Sequence, residues 1–105
     1  MPFKALNLSA PIVSALEAKG YVQPTAVQQK AIPVILEGRD IFGSAQTGSG
    51  KTAAFALPLL QLMSSKQATH RGVRTLVLAP TRELALQIGD SFRDYGKHLG
   101  LKHVV

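Results

Sequence analysis

A chain of 105 residues, 46% of them apolar, has the size and composition of one folded domain and leaves no room for two. Twelve lysines and arginines against six acidic residues give a formal charge of +6, which favours a polyanionic partner without naming it, since a merely soluble basic protein has the same balance. No cysteine is present, which excludes disulfide scaffolds and thiolate metal sites.

The amino-terminal Met1-Pro2-Phe3-Lys4-Ala5-Leu6 lacks the basic-then-apolar layout of a signal peptide. The longest apolar run, residues 53–60, is too short to span a bilayer, so a cytoplasmic protein with no membrane partner is expected. Ser9 predicts an N-cap, and Ile12, Val13 and Leu16 then recur at helical spacing until Gly20 stops the helix as its C′ residue. Thr25 opens a second helix with Gln28 three residues on, and Ala31, Ile32, Ile35 and Leu36 supply its apolar stripe; Pro33 should kink or shorten it. Glu37-Gly38-Arg39-Asp40 reads as a turn and Ile41-Phe42-Gly43-Ser44-Ala45 as a short buried strand.

A glycine-rich loop at residues 46–50 leads into a helix that carries Phe55, Leu59 and Leu62 on one face, with a bend expected at Pro58. Residues 66–72 are polar, basic and aperiodic, the pattern of a surface loop. The residues Lys66, His70, Arg71 and Arg74 are read as a solvated face. Arg74-Thr75-Leu76-Val77-Leu78-Ala79 has the apolar run of a parallel strand covered on both faces, and Pro80 ends it. Leu84, Ile88, Phe92, Tyr95 and Leu99 mark one face of a long helix that Gly100 is expected to terminate, and Leu101-Lys102-His103-Val104-Val105 begins a third strand. His98 and His103 have no metal-ligand spacing. The order predicts an α/β fold, a parallel sheet with right-handed crossovers and flanking helices, and its halt inside a strand predicts a truncated piece of a larger domain.

Ala45-Gln46-Thr47-Gly48-Ser49-Gly50-Lys51-Thr52 follows a predicted strand and opens a predicted helix, which is the context of a phosphate-binding P-loop. Glycines let successive backbone N–H groups turn inward onto phosphate oxygens, and the positive end of the following helix adds to the attraction. Lys51 is expected to reach the β- and γ-phosphates and the Thr52 hydroxyl to ligate Mg²⁺. The first position departs from the usual glycine, being Ala45, and a flexible Gly/Ser turn with a solvated lysine is the plain alternative.

Three blocks in this order resemble the DEAD-box ATP-dependent RNA helicases of bacterial type, specifically the amino-terminal part of their first RecA-like lobe. Residues 20–28, Gly-Tyr-Val-Gln-Pro-Thr-Ala-Val-Gln, are similar to that family's Q motif within a region spanning residues 1–29, with Phe3 at the place of its isolated upstream aromatic. Residues 45–52 match its P-loop, including the alanine start, and residues 80–85, Pro-Thr-Arg-Glu-Leu-Ala, match its motif Ia. The resemblance implies a RecA-like fold, ATP and Mg²⁺ as cofactors, and RNA as partner. By the same resemblance Gln28 pairs with the adenine edge, Tyr21 stacks on the base, and Pro80, Thr81 and Arg82 hold the RNA backbone through contacts that do not read sequence.

Each role has a structural competitor. Thr25-x-x-Gln28 is also a capping box, Tyr21 could pack in the core, Phe3 could simply pin the chain down, and Pro80-Thr81-Arg82 could be an ordinary strand-to-helix turn. An Asp-Glu-Ala-Asp box is absent from these residues, as is the second lobe that the resemblance implies. The expectation is therefore a parent enzyme that separates short RNA duplexes with ATP, and a chain that alone does not hydrolyse it. A stand-alone nucleotide- or RNA-binding module is the alternative.

Overall fold

The computed structural model describes residues 3–40, 50–65 and 74–105. A 3-10 turn at Phe3–Leu6 precedes four α-helices: α1 (Ala10–Ala18), α2 (Ala26–Leu36), α3 (Lys51–Ser65) and α4 (Arg82–Tyr95). Ser9 stands at the N-cap of α1 in extended conformation, yet its hydroxyl caps nothing; its backbone N–H instead donates to Gln61 Oε1 of α3 over 2.7 Å. At the other end Gly20 is the C′ residue expected: its N–H donates to Glu17 O and the Tyr21 N–H to Leu16 O, the paired bonds of a Schellman motif. The turn after α2 is closed the same way, by Gly38 to Ile35 O and Arg39 to Val34 O.

α2 and α3 pack most extensively against each other, with α4 across α3 and the end of α1 against α4. Ile12, Leu16, Ile32 and Leu57 are fully buried at the centre of this cluster. Each such side chain contributes about 1.5–3 kcal/mol relative to exposure. Phe3, at 4% exposure, joins them and ties the 3-10 turn to the core. The buried positions of α3 are Ala53, Ala54, Ala56, Leu57, Pro58 and Leu60, while Phe55, Leu59 and Leu62 are only half-buried. The expected face is therefore only part of the contact, Phe55 packing against the core from its edge, because a helix apolar nearly all round carries no periodic signal to choose between its sides. Both α2 and α3 continue past their internal prolines, Pro33 and Pro58.

Two further expectations are corrected. α4 ends at Tyr95 rather than near Gly100: the Gly96 N–H donates to Phe92 O, and its backbone lies so close to Leu60 that a Cβ would stand 3.1 Å from Leu60 Cδ2. Residues 96–100 continue as turns. No β-strand is formed among the described residues. Residues 74–79 and 101–105 form no strand, with Leu76 and Leu78 76% and 83% exposed. A strand exists only through a neighbour about 4.8 Å away. The expected first strand, residues 41–45, lies outside the described residues. Arg74, read as part of a solvated face, is exposed and also donates to the Met63 carbonyl over 2.7 Å near the end of α3; Lys66, His70 and Arg71 lie outside the described residues. No described helix is long and apolar enough to cross a membrane.

Candidate functional site

The site is assembled where the start of α2 meets the start of α3. Thr25, extended at the N-cap of α2, accepts the Gln28 backbone N–H on its hydroxyl, and Gln28 Oε1 accepts the Thr25 N–H over 2.9 Å. This is a complete capping box, so the structural role open to Gln28 is real. The same side chain does more. Its Nε2 donates to the Gly50 carbonyl over 3.2 Å, and the residue is only 6% exposed. A primary amide has two donors and two acceptor lone pairs, so one of each is left after the bonds to Thr25 and Gly50.

Gly50 immediately precedes α3 and has φ +88. A Cβ there would meet Gln28 Nε2 and stand 3.0 Å from Thr25 Oγ1, so only glycine lets the loop backbone come this close to the cap of α2. Its carbonyl accepts the Ala54 N–H and begins α3. Lys51 is exposed and Thr52 half-buried in the first turn, where N–H groups lack helical acceptors and the helix dipole is positive. An anionic group is therefore attracted to a point flanked by a mobile ammonium and a hydroxyl. Ala45, Gln46, Thr47, Gly48 and Ser49 lie outside the described residues.

Tyr21 follows the Schellman turn of α1 and is 45% exposed. Its ring is 6.5 Å from that of Tyr95, and Lys19 Nζ lies 5.9 Å from the Tyr21 centroid and 5.4 Å from that of Tyr95. Lys19 also pairs with Asp94 at 3.1 Å. The hydrogen bond that Lys19 Nζ donates to Asp94 Oδ2 holds the ammonium above its ordinary range and the Asp94 carboxyl below its own. Burial pushes the Tyr95 phenol up, with Tyr21 adding to the shift. Neither Lys19 nor Tyr95 was singled out from sequence as part of this group, because the partners are joined across α1 and α4.

At the third block Pro80, Thr81 and Arg82 are exposed at the start of α4. The Thr81 hydroxyl accepts the Leu84 N–H over 3.1 Å and caps the helix, a role not assigned from sequence although Thr81 stands at N-cap spacing. As a hydroxyl it still has a proton to donate. Among the described residues no cluster of His, Asp or Glu could hold a metal ion.

The DEAD/DEAH box helicase model matches residues 25–105. The chain belongs to that family. Two members named for their activity are similar over 103 residues, 98% of this chain, at 50% identity: the ATP-dependent rRNA helicase rrp3 of Aspergillus oryzae and the ATP-dependent RNA helicase DeaD of Escherichia coli. The chain spans 21% and 16% of their respective lengths. Among solved structures, the RNA helicase Prp28 of Chaetomium thermophilum bound to ADP superposes with a TM-score of 0.89 at 42% identity, over 98% of this chain and 26% of that one. A DEAD box protein from Methanococcus jannaschii gives 0.82 at 41% identity, over 99% of this chain and 27% of that one.

Proposed function

We propose that this chain is the ATP-binding and RNA-contacting portion of an ATP-dependent RNA helicase, working in the cytoplasm as part of a longer two-lobed protein. One observation supports it above the others: a buried glutamine amide that joins the cap of α2 to the carbonyl directly before Lys51. In this reading the donor and lone pair left on Gln28 meet the adenine edge, which offers a matching acceptor and amino group. Guanine carries a carbonyl acceptor where adenine carries its amino donor and is disfavoured. Tyr21 lies along the base, and residues 45–50 with Lys51 enclose the triphosphate.

The residues present suit Mg²⁺·ATP, since a glycine without room for a Cβ, an exposed lysine and a half-buried threonine hydroxyl open a helix of 15 residues. Mg²⁺, when bound, supplies charge neutralisation at the β- and γ-phosphates, and the Thr52 hydroxyl would hold it. Lys51 orients the terminal phosphate as a point charge. Pro80, Thr81 and Arg82 contact an RNA backbone through a hydroxyl, a guanidinium and the α4 amides, none of which reads bases. Residues 74–79 and 101–105 are read as strands of a RecA-like parallel sheet in the longer protein, a reading supported by the Prp28 and Methanococcus likenesses and by the bare apolar side chains of Leu76 and Leu78. Water attack and strand separation are assigned to that whole protein and not to these residues alone.

Calorimetric titration with Mg·ATP and Mg·GTP tests the reading. Saturable binding of ATP over GTP that disappears in Lys51→Ala, with circular dichroism unchanged, is the expected result. Equal affinity for the two nucleotides in a folded protein would overturn the assignment of Gln28 and Tyr21 to the base.

A further inference from the structure

Tyr21 is the exposed member of a group whose other members have no part in the reading above. Its main chain is held by the Tyr21 N–H bond to Leu16 O over 2.9 Å, which leaves the ring free to turn about its side-chain torsions. Those torsions are restricted by two neighbours. Tyr95, almost wholly buried, offers a fixed aromatic wall at a 46° tilt, and Lys19 lies within cation–π range of both rings. The Lys19 side chain is itself anchored by Asp94. The chain of contacts runs from α4 through an ion pair to a lysine and on to the half-exposed ring.

We propose that Lys19, Asp94 and Tyr95 are positioning residues that hold the Tyr21 ring in the orientation needed to stack on a purine base. The inference rests on the assignment of Tyr21 to the base. An aromatic ring that must be ordered on binding forfeits affinity to lost rotamer freedom, whereas one already packed on a wall does not. The ion pair is solvent-exposed, so its contribution is screened by salt, and the base-dependent part of affinity should decline with ionic strength more than phosphate screening alone requires.

The protein contains two tyrosines and no tryptophan, so its intrinsic near-ultraviolet signal above the phenylalanine bands reports only Tyr21 and Tyr95. The test compares Lys19→Met, Lys19→Arg and Tyr21→Ala, alone and combined, with Mg·ATP and inorganic tripolyphosphate as ligands. Lys19→Met is expected to weaken ATP about threefold, the scale of one exposed cation–π contact, and to reduce the tyrosine near-ultraviolet dichroism. It should leave tripolyphosphate affinity and far-ultraviolet dichroism unchanged. Lys19→Arg should restore ATP affinity, and Lys19→Met should have no further effect once Tyr21 is alanine.

If Tyr21→Ala weakens ATP but Lys19→Met does not, or if Lys19→Met weakens both ligands alike, positioning is overturned while the base assignment stands. If Tyr21→Ala leaves ATP affinity intact, the base assignment itself is wrong and this inference falls with it. Absence of ATP binding by the folded protein has the same consequence.

Discussion

Gln28 donates its side-chain amide to the Gly50 carbonyl over 3.2 Å while its oxygen closes the capping box with Thr25, so one buried residue is shared by the end of one helix and the beginning of another. The two helices therefore cannot shift at this point independently. Any displacement of the residues before Lys51 must lengthen a hydrogen bond inside a nearly dry contact or move the start of α2 with it.

Gly50→Ala should be the most damaging small substitution at the site. It combines a left-handed backbone with a Cβ driven into Gln28, and the expected cost is about 1–3 kcal/mol. Urea denaturation followed by circular dichroism measures it. A midpoint equal to that of the unsubstituted protein would show that Gln28 and Gly50 do not meet in solution.

Gln28→Ala and Gln28→Glu separate the two roles of the amide. Alanine loses both, and stability should fall by about 1–2 kcal/mol along with ATP preference. Glutamate keeps an acceptor for the Thr25 N–H but at neutral pH has no proton for Gly50. The α2 cap should survive in Gln28→Glu while ATP affinity declines, and an unchanged ATP-to-GTP ratio in both variants would leave capping as the whole role.

Thr81→Ala should cost about 1 kcal/mol through the lost cap of α4, and Thr81→Ser should recover most of it. Arg82→Ala, by contrast, removes an exposed side chain and should leave the melting temperature unchanged. Its effect is expected on RNA binding, with the slope of log affinity against log salt falling by about one unit. A loss of RNA affinity with no change in slope would exclude a phosphate contact.

The Lys19–Asp94 pair gives a defined pH dependence. Asp94 is depressed when folded, so its contribution is present above its unfolded pKa and is lost as pH falls through the lower folded value. Lys19 is raised, so its share is present below the unfolded pKa and is lost as pH rises through the higher folded one. Arg93, Tyr21 and Tyr95 are the other charged or titratable groups acting on the pair. Near-ultraviolet dichroism of the tyrosines should therefore change in acid, within and below the ordinary carboxylate range, and Asp94→Asn should abolish that change. Because the pair is exposed, 0.5 M salt should also reduce its amplitude.

Much of this molecule was legible where the physics is local. The Thr25–Gln28 box, the C′ glycine of α1 and the turn at Gly38 each depend on hydrogen bonds spanning three to five residues, and residue types at those spacings predict them directly. The stripe on α4 was readable in part, since polar residues separate its apolar positions; Phe92 and Tyr95 do pack against the core, as does Leu99 beyond the end of the helix. The buried side of α3 was not, because residues 53–60 are apolar on every side and any rotation looks equally good. The sheet illustrates a different failure. Apolar runs at residues 74–79 and 101–105 state that the chain could pair, yet pairing belongs to two segments at once and no single segment carries it.

The end of α1 at Gly20 and the start of α2 at Thr25 were determined by the sequence alone, and so was the expectation of a phosphate site at residues 45–52, because caps, turn glycines and a Gly-Lys-Thr ending act over a few residues whatever surrounds them. Only the tertiary structure decided that Gln28 reaches Gly50, 22 residues away, and that Lys19 meets Asp94 at a separation of 75. Contacts of that span are set by how α1, α2, α3 and α4 bury their apolar sides against one another, and a side chain's second partner is whatever that packing brings within hydrogen-bond reach.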